Sequence, residues 1–173
     1  MTYLTVHDLV WINETVTGAS LPYNYERLEA AMGAQYTYGI STDPLPSSAY
    51  LFEKLAFEQP FQYGNRRTAL IATVVFLIAN GYRIKCSDEE LIAAFQRTIS
   101  RESSPVELVC EISGKEGEGM QFGGELMSHP NMFALTKPAA QNHSQPVLLR
   151  NLVTEQCNRY RAVLANMATE DGP

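Results

Sequence analysis

Residues 59–80 read QPFQYGNRRTALIATVVFLIAN, and they contain the richest apolar run of the chain. Ten of the eleven residues from Ala69 to Ala79 are apolar, so the segment has no polar face. A helix that is apolar on all sides is buried on all sides. At eleven residues the run is about half of what a bilayer span needs. It therefore predicts a central core helix over about residues 66–80, ended by Gly81.

Capping residues and apolar periodicity on both sides of this segment predict further helices. Their approximate bounds are 5–18, 24–33, 47–60, 87–99 and 104–112. A last, amphipathic helix is expected at about residues 147–167, where it could dock on the bundle or on a second copy of the chain. Almost every predicted element is helical, so the fold class is mainly α.

The chain is expected to divide into three parts. Residues 1–113 form a helical domain, residues 114–146 a loop or linker, and residues 147–173 an amphipathic helix with a tail. The middle part has five glycines, three prolines and no periodicity, which is typical of a functional loop or a mobile segment. Within the first part, the tyrosines and prolines of residues 34–46 favour a short extended excursion.

Composition and charge exclude several function classes. The 173 residues are 45% hydrophobic, which rules out a disordered chain, and they carry a net charge of −6. An acidic protein repels nucleic acids and anionic membranes at long range, so we expect neither partner. Three cysteines without a CxxC pair support neither a zinc ribbon nor a disulfide framework. With no signal sequence apparent, we expect a cytoplasmic protein, in which glycosylation matches at Asn13 and Asn142 are chance.

Positive charge is concentrated where the central helix begins. Residues 63–101 carry a net +3, against −5 before them and −4 after them. A glycine turn leads directly into the buried helix, so free backbone amides and the positive helix end face one place. We predict a phosphate or nucleotide site there, formed by Gly64, Asn65, Arg66 and Arg67. The alternative is that the two arginines are a solvated helix start.

The same stretch resembles the motif of the Fic/Doc family, specifically its death-on-curing branch. That motif reads His-x-Phe-x-Asp/Asn-Gly/Ala-Asn-Lys-Arg-Thr-Ala, and six positions match it as written: Phe61, Gly64, Asn65, Arg67, Thr68 and Ala69. Residues 3–9 look like the first helix of the branch, and residues 76–82 look like the phrase that follows its motif. The similarity covers about residues 1–101.

The resemblance implies a helical bundle around a buried central helix, with a small β flap near the motif at about residues 34–46. It also implies transfer of a phosphate-containing group from ATP or another nucleotide to a protein hydroxyl. Most Fic proteins adenylylate, whereas death-on-curing toxins phosphorylate a translation elongation factor and are neutralised by an antitoxin. Leu70 stands where the adenylylating branch has a second arginine, which favours the death-on-curing side. A target protein and an antitoxin-like protein are therefore the implied partners.

Three motif positions depart from the family. Gln59 stands at the position of the catalytic base, and a glutamine amide does not titrate near neutrality. Tyr63 stands at the position of the Mg²⁺ ligand, and this hard cation prefers carboxylate oxygens, so we expect no metal. Arg66 replaces the lysine of the branch and keeps its charge. The pattern favours a binding protein with impaired or absent transfer activity.

Two alternatives remain open from the sequence. The chain could be an active phosphotransferase or adenylyltransferase that takes its base from elsewhere, with His7, His129 and His143 as candidates. It could instead be a protein-interaction module that binds no ligand and uses its flap and C-terminal helix.

Overall fold

The computed structural model describes residues 1–33, 35, 43–115 and 145–168. Eight helices and a two-stranded antiparallel sheet cover these residues, so the chain is mainly α as predicted. The helices are α1 Val6–Thr17, α2 Tyr25–Gly33, α3 Pro44–Glu58, α4 Asn65–Ala79, α5 Asp88–Ile99, α6 Pro105–Ile112, α7 Gln145–Arg159 and α8 Arg161–Ala168. The strands are β1 Tyr82–Ile84 and β2 Ser113–Lys115.

Helix α4 is the centre of the molecule. All of its residues from Arg67 to Leu77 are buried, and it packs against α1, α3 and α7. Full burial of one aliphatic side chain contributes about 1.5–3 kcal/mol, so this helix is a main source of folding free energy. The prediction of a central helix without a polar face is confirmed.

Three predicted helix starts are confirmed by their caps. Thr5, Ser87 and Ser104 each accept a hydrogen bond on the side-chain oxygen from the backbone N–H three residues later. The acidic residue at that later position bonds back to the capping residue, which completes a capping box. Such a cap stabilises a helix by about 1 kcal/mol.

Helix α3 begins three residues earlier than the sequence predicts. The Asp43 carboxylate accepts a hydrogen bond from the Leu45 N–H at 3.0 Å, and Pro44 opens the helix in place of Ser47. Proline suits this position because the first helical N–H has no partner within the helix. Residues 44–46, which we assigned to the flap, are therefore helical. Residues 34 and 36–42 of the predicted flap lie outside the described residues.

The predicted C-terminal helix over residues 147–167 is two helices, α7 and α8, separated at Tyr160. Buried side chains continue with helical spacing through the break, at positions 153, 156, 160, 163, 164 and 167. This continuity explains why periodicity predicts one helix. The apolar members of the series join the same core as α4, so these helices dock on the bundle.

The small sheet was not predicted. Strand β1 pairs antiparallel with β2, with Tyr82 opposite Lys115 and Ile84 opposite Ser113. The predicted linker therefore begins with strand residues at positions 114 and 115, and residues 116–144 lie outside the described part of the chain. Within the described ranges, no helix combines the length and apolar character needed to cross a bilayer.

Candidate functional site

The loop over residues 59–64 connects α3 to α4 and is fixed to the segment that precedes α2. Asn24 N–H donates to the Pro60 carbonyl at 2.7 Å, and Gln62 N–H donates to the Pro22 carbonyl at 3.1 Å. The Tyr23 and Phe61 rings meet edge to face, with their centroids 6.1 Å apart. The loop that carries the predicted site is thus joined to the segment before α2 by two backbone hydrogen bonds and a ring contact.

The side chain of Asn65 closes this loop from inside. Its Oδ1 accepts from the Phe61 N–H and its Nδ2 donates to the Phe61 carbonyl, both at 2.9 Å. Asn65 is 5% exposed, so both bonds lie away from water. The amide therefore holds the shape of the loop, which is a structural task within the predicted anion site.

Gly64 is required by conformation and by space. Its φ is +78°, in the left-handed region that favours glycine. A Cβ at this position would lie 2.4 Å from Thr17 Cγ2 and 3.1 Å from Asn13 Nδ2. The glycine therefore lets the loop approach the carboxyl end of α1.

Asn13 joins α1 to the loop and to α4, a role that our sequence interpretation missed. Its Nδ2 donates to the Tyr63 carbonyl at 3.2 Å and to Thr68 Oγ1 at 3.0 Å, and the residue is 1% exposed. A signal was available, because Asn13 lies among Leu9, Ile12 and Val16 on the apolar stripe of α1. A polar residue on such a stripe indicates an internal hydrogen bond.

Arg67 points back to α1. Its Nη1 donates to the Val16 carbonyl at 3.0 Å, and the residue is 8% exposed. The carboxyl end of a helix carries a partial negative charge, which a guanidinium stabilises. Arg67 also lines a cavity of about 310 Å³ formed with α7 and α8.

Arg66 lies on another side of the same helix. It is half-buried and lines a cavity of about 440 Å³ together with Phe95, Gln96, Ile99 and Ser100 of the α5 region. Consecutive residues of a helix do not face each other. The two guanidinium groups, which we expected to flank one anion, thus line different cavities.

Two of the three altered motif positions, Gln59 and Tyr63, lie near the two ends of the loop. Gln59 is exposed and ends α3 with a φ of +49°, a conformation that is uncommon for residues other than glycine. Tyr63 is half-buried and accepts the Asn13 bond on its backbone carbonyl. Within the described residues, no group of three or more His, Cys, Asp or Glu side chains could hold a metal ion. His7 is exposed on α1, and His129 and His143 lie outside the described residues.

Helix α4 differs from the other capped helices at its amino end. Gly64 gives it no side-chain cap, whereas α1, α3, α5 and α6 each begin with a capping side chain. Asn24 does the same for α2 by accepting from the Arg27 N–H at 3.0 Å. At the α4 amino end, the cap residue Gly64 therefore offers no side-chain acceptor to the helix amides, and Arg66 is the second residue of the helix.

No family model, curated protein or solved structure matches the chain.

Proposed function

We propose that this chain is a Fic-fold protein of the death-on-curing type that binds ATP or another phosphate-bearing nucleotide at the amino end of α4. The observation that carries the proposal is that α4 begins at a glycine without a side-chain cap, whereas α1, α2, α3, α5 and α6 each begin with a capping side chain. The first N–H groups of a helix and its positive dipole end attract an anion. A nucleotide phosphate supplies the acceptor that Gly64 cannot.

The proposed site uses fewer side chains than the motif alone suggests. The phosphate would accept from the backbone amides of residues 64–67 and from the Arg66 guanidinium. Asn65 and Arg67 would support it indirectly, because their side chains already hold the loop and α1. The fold proposal includes a bundle around α4 and a flap near the motif.

Transfer from the bound nucleotide is proposed to be weak or absent. Glutamine at position 59 cannot accept the proton of a target hydroxyl, and a lost general base costs about 10²–10⁴-fold in rate. Tyr63 offers no carboxylate for Mg²⁺. A protein target and an antitoxin-like partner remain part of the proposal, because the resemblance to the death-on-curing branch implies both.

A second candidate is a protein-interaction module without a ligand. It is favoured by the internal roles of Asn65 and Arg67, since a motif that holds the loop and α1 together can persist as scaffold. The active transferase with an unrecognised base is the third reading, and it differs from the others in a measurable activity.

Calorimetric titration with ATP, with and without Mg²⁺, tests the binding proposal. We expect saturable binding that does not depend on Mg²⁺ and that weakens about tenfold or more in Arg66→Gln, because a charge-assisted hydrogen bond contributes roughly 1.5–3 kcal/mol. Arg83→Gln on β1 is the matched control, since it removes an exposed arginine far along the chain from the loop. Absence of heat and of any thermal shift would favour the interaction module.

Incubation with γ- and α-labelled ATP and cell extract tests transfer. We expect little label with the wild type and an increase of about 10²–10⁴-fold in the double variant Gln59→His/Tyr63→Asp. Label on any protein with the wild type, lost in Gln59→Ala, would establish the active transferase. An inactive but folded double variant would count against the motif alignment.

A further inference from the structure

We propose that the cavity between the carboxyl end of α1 and helices α7 and α8 is a second anion site, which takes a small molecule bearing a carboxylate or phosphate. Two arginines line it, Arg67 from α4 and Arg161 from α8. They come from helices that are far apart in sequence, so the fold brings two positive charges to one space. The proposal is independent of nucleotide binding at the α4 amino end.

The two guanidinium groups are held in place by different partners. Arg67 is nine-tenths buried and donates to the Val16 carbonyl at 3.0 Å. Arg161 is exposed, and its Nη2 donates to Asn158 Oδ1 at 2.8 Å. One cation therefore forms the inner wall and the other lies at the mouth. The oxyanion of a ligand would share Arg67 with the contacts that this residue already makes.

The remaining walls suit an anion with an apolar body. No carboxylate is found among the described residues that line the cavity. Burial raises the pKa of the Cys157 thiol to about 11, so this side chain is neutral near pH 7. Thr15 and Thr154 donate their hydroxyl protons to carbonyls of their own helices. Among the described residues that line the cavity, the charged donors are thus the two arginines.

Size and the apolar wall narrow the ligand class. The volume of about 310 Å³ lies at the small end of the range for ligand pockets, which is about 300–1,000 Å³. Val16, Leu164 and Ala165 supply apolar surface beside the guanidinium groups. These features fit a small carboxylic acid or phosphate ester better than a dinucleotide.

Anion-dependent thermal stability of the full chain tests this site. We would melt the protein in inorganic phosphate, in succinate and in chloride at equal ionic strength. A ligand at ten times its Kd is expected to raise Tm by about 3–6 °C relative to chloride. A larger shift with phosphate than with succinate would assign a phosphate ligand, and the reverse order would assign a carboxylate.

Two variants locate the effect. Arg161→Gln is expected to weaken binding about tenfold or more, because it removes a charged donor at the mouth. Ala165→Leu should block the cavity without changing charge, whereas Arg83→Gln should keep the full shift. Equal shifts in Arg161→Gln and the wild type, or no shift with either anion, would overturn the proposal. If the anion-dependent rise in Tm is lost only in Arg66→Gln, the anion binds at the α4 amino end and not in this cavity.

Discussion

Replacing Gly64 with alanine tests the packing of the loop on α1. The substitution adds one Cβ at a position with a φ of +78°, 2.4 Å from Thr17 Cγ2 and 3.1 Å from Asn13 Nδ2. Two separate costs follow from this geometry. The left-handed backbone is unfavourable for alanine, and the added carbon overlaps the Thr17 methyl group.

The magnitudes can be estimated separately. The left-handed conformation costs an L-residue about 1–2 kcal/mol. Overpacking a filled interior costs about 1–3 kcal/mol. We expect Gly64→Ala to lower the free energy of unfolding by roughly 2–5 kcal/mol, a large fraction of the about 5–15 kcal/mol that stabilises an ordinary protein.

Gly18 provides a matched control. Its φ is +74°, and nothing lies within 4 Å of the Cβ that alanine would add. Gly18→Ala should therefore show the conformational cost alone, about 1–2 kcal/mol. The reduced entropy of the unfolded chain applies to both variants and cancels in the comparison.

Urea denaturation measures both variants, together with Thr17→Ser in each background. Thr17→Ser removes the clashing methyl group and keeps the hydroxyl that bonds to the Asn13 carbonyl at 2.7 Å. It should recover the part of the Gly64→Ala cost that comes from the Thr17 methyl group, and leave the conformational part and the 3.1 Å contact with Asn13 Nδ2. Equal destabilisation by Gly64→Ala and Gly18→Ala, or no rescue by Thr17→Ser, would refute the packing argument.

Asn65→Ala should lower the free energy of unfolding, measured by urea denaturation, by about 2–4 kcal/mol, because it leaves the buried Phe61 N–H and carbonyl without partners. Gln62→Ala, at an exposed position, is the control. If Asn65→Ala costs no more than Gln62→Ala, the loop role of Asn65 is contradicted. The pKa of Glu107 is lowered by the hydrogen bond from the Ser104 backbone N–H and then by those from the Ser103 and Ser104 hydroxyls, so the stability that the Glu107 carboxylate contributes is present above about pH 4.5 and lost as pH falls below that value. Glu107→Gln should flatten the pH dependence of Tm in that acidic range. An unchanged slope would argue against the cap. Since burial raises the pKa of Cys157 to about 11, against an ordinary 9.0, its thiolate population at pH 8 is about 100-fold smaller than in the unfolded chain. In a Cys86→Ser/Cys110→Ser background, a thiol reagent should therefore label Cys157 correspondingly more slowly in the native protein than in urea. Equal labelling rates in the two states would contradict the burial of Cys157.

The features that the sequence predicts well depend on neighbouring residues. A capping box involves residues three positions apart, so Ser87 and Glu90 carry the whole signal for the start of α5. The burial of α4 follows from its lack of a polar face, whatever packs around it. Both predictions required no knowledge of distant contacts.

The features that the sequence hides depend on distant partners. Strand β2 is Ser-Gly-Lys, which has no β-pattern of its own. It forms because it pairs with β1, which lies about thirty residues earlier in the chain. The break at Tyr160 has no glycine or proline to mark it.

In contrast, the separation of the Arg66 and Arg67 side chains was predictable, since neighbouring helical residues point about 100° apart.

The turn at the start of α4 was predicted, whereas the internal contacts of Asn65 and Arg67 were not. The glycine turn before α4 follows from the Gly64-Asn65 pair. The partners of Asn65 and Arg67 do not follow from the sequence, because the same residue type can either bind a ligand or hydrogen-bond to a group within the protein. The same holds for Asn13, whose place on the apolar stripe of α1 indicates an internal hydrogen bond without identifying Tyr63 and Thr68 as its partners.

Titration of ATP into ¹⁵N-labelled protein tests the central proposal most directly, because it reports on individual backbone amides. If the phosphate binds at the start of α4, the amide signals of residues 64–67 should shift and saturate together, and Arg66→Gln should require more ATP to reach the same shifts. Signals of those residues that stay fixed while ATP reaches millimolar concentration would contradict the proposal.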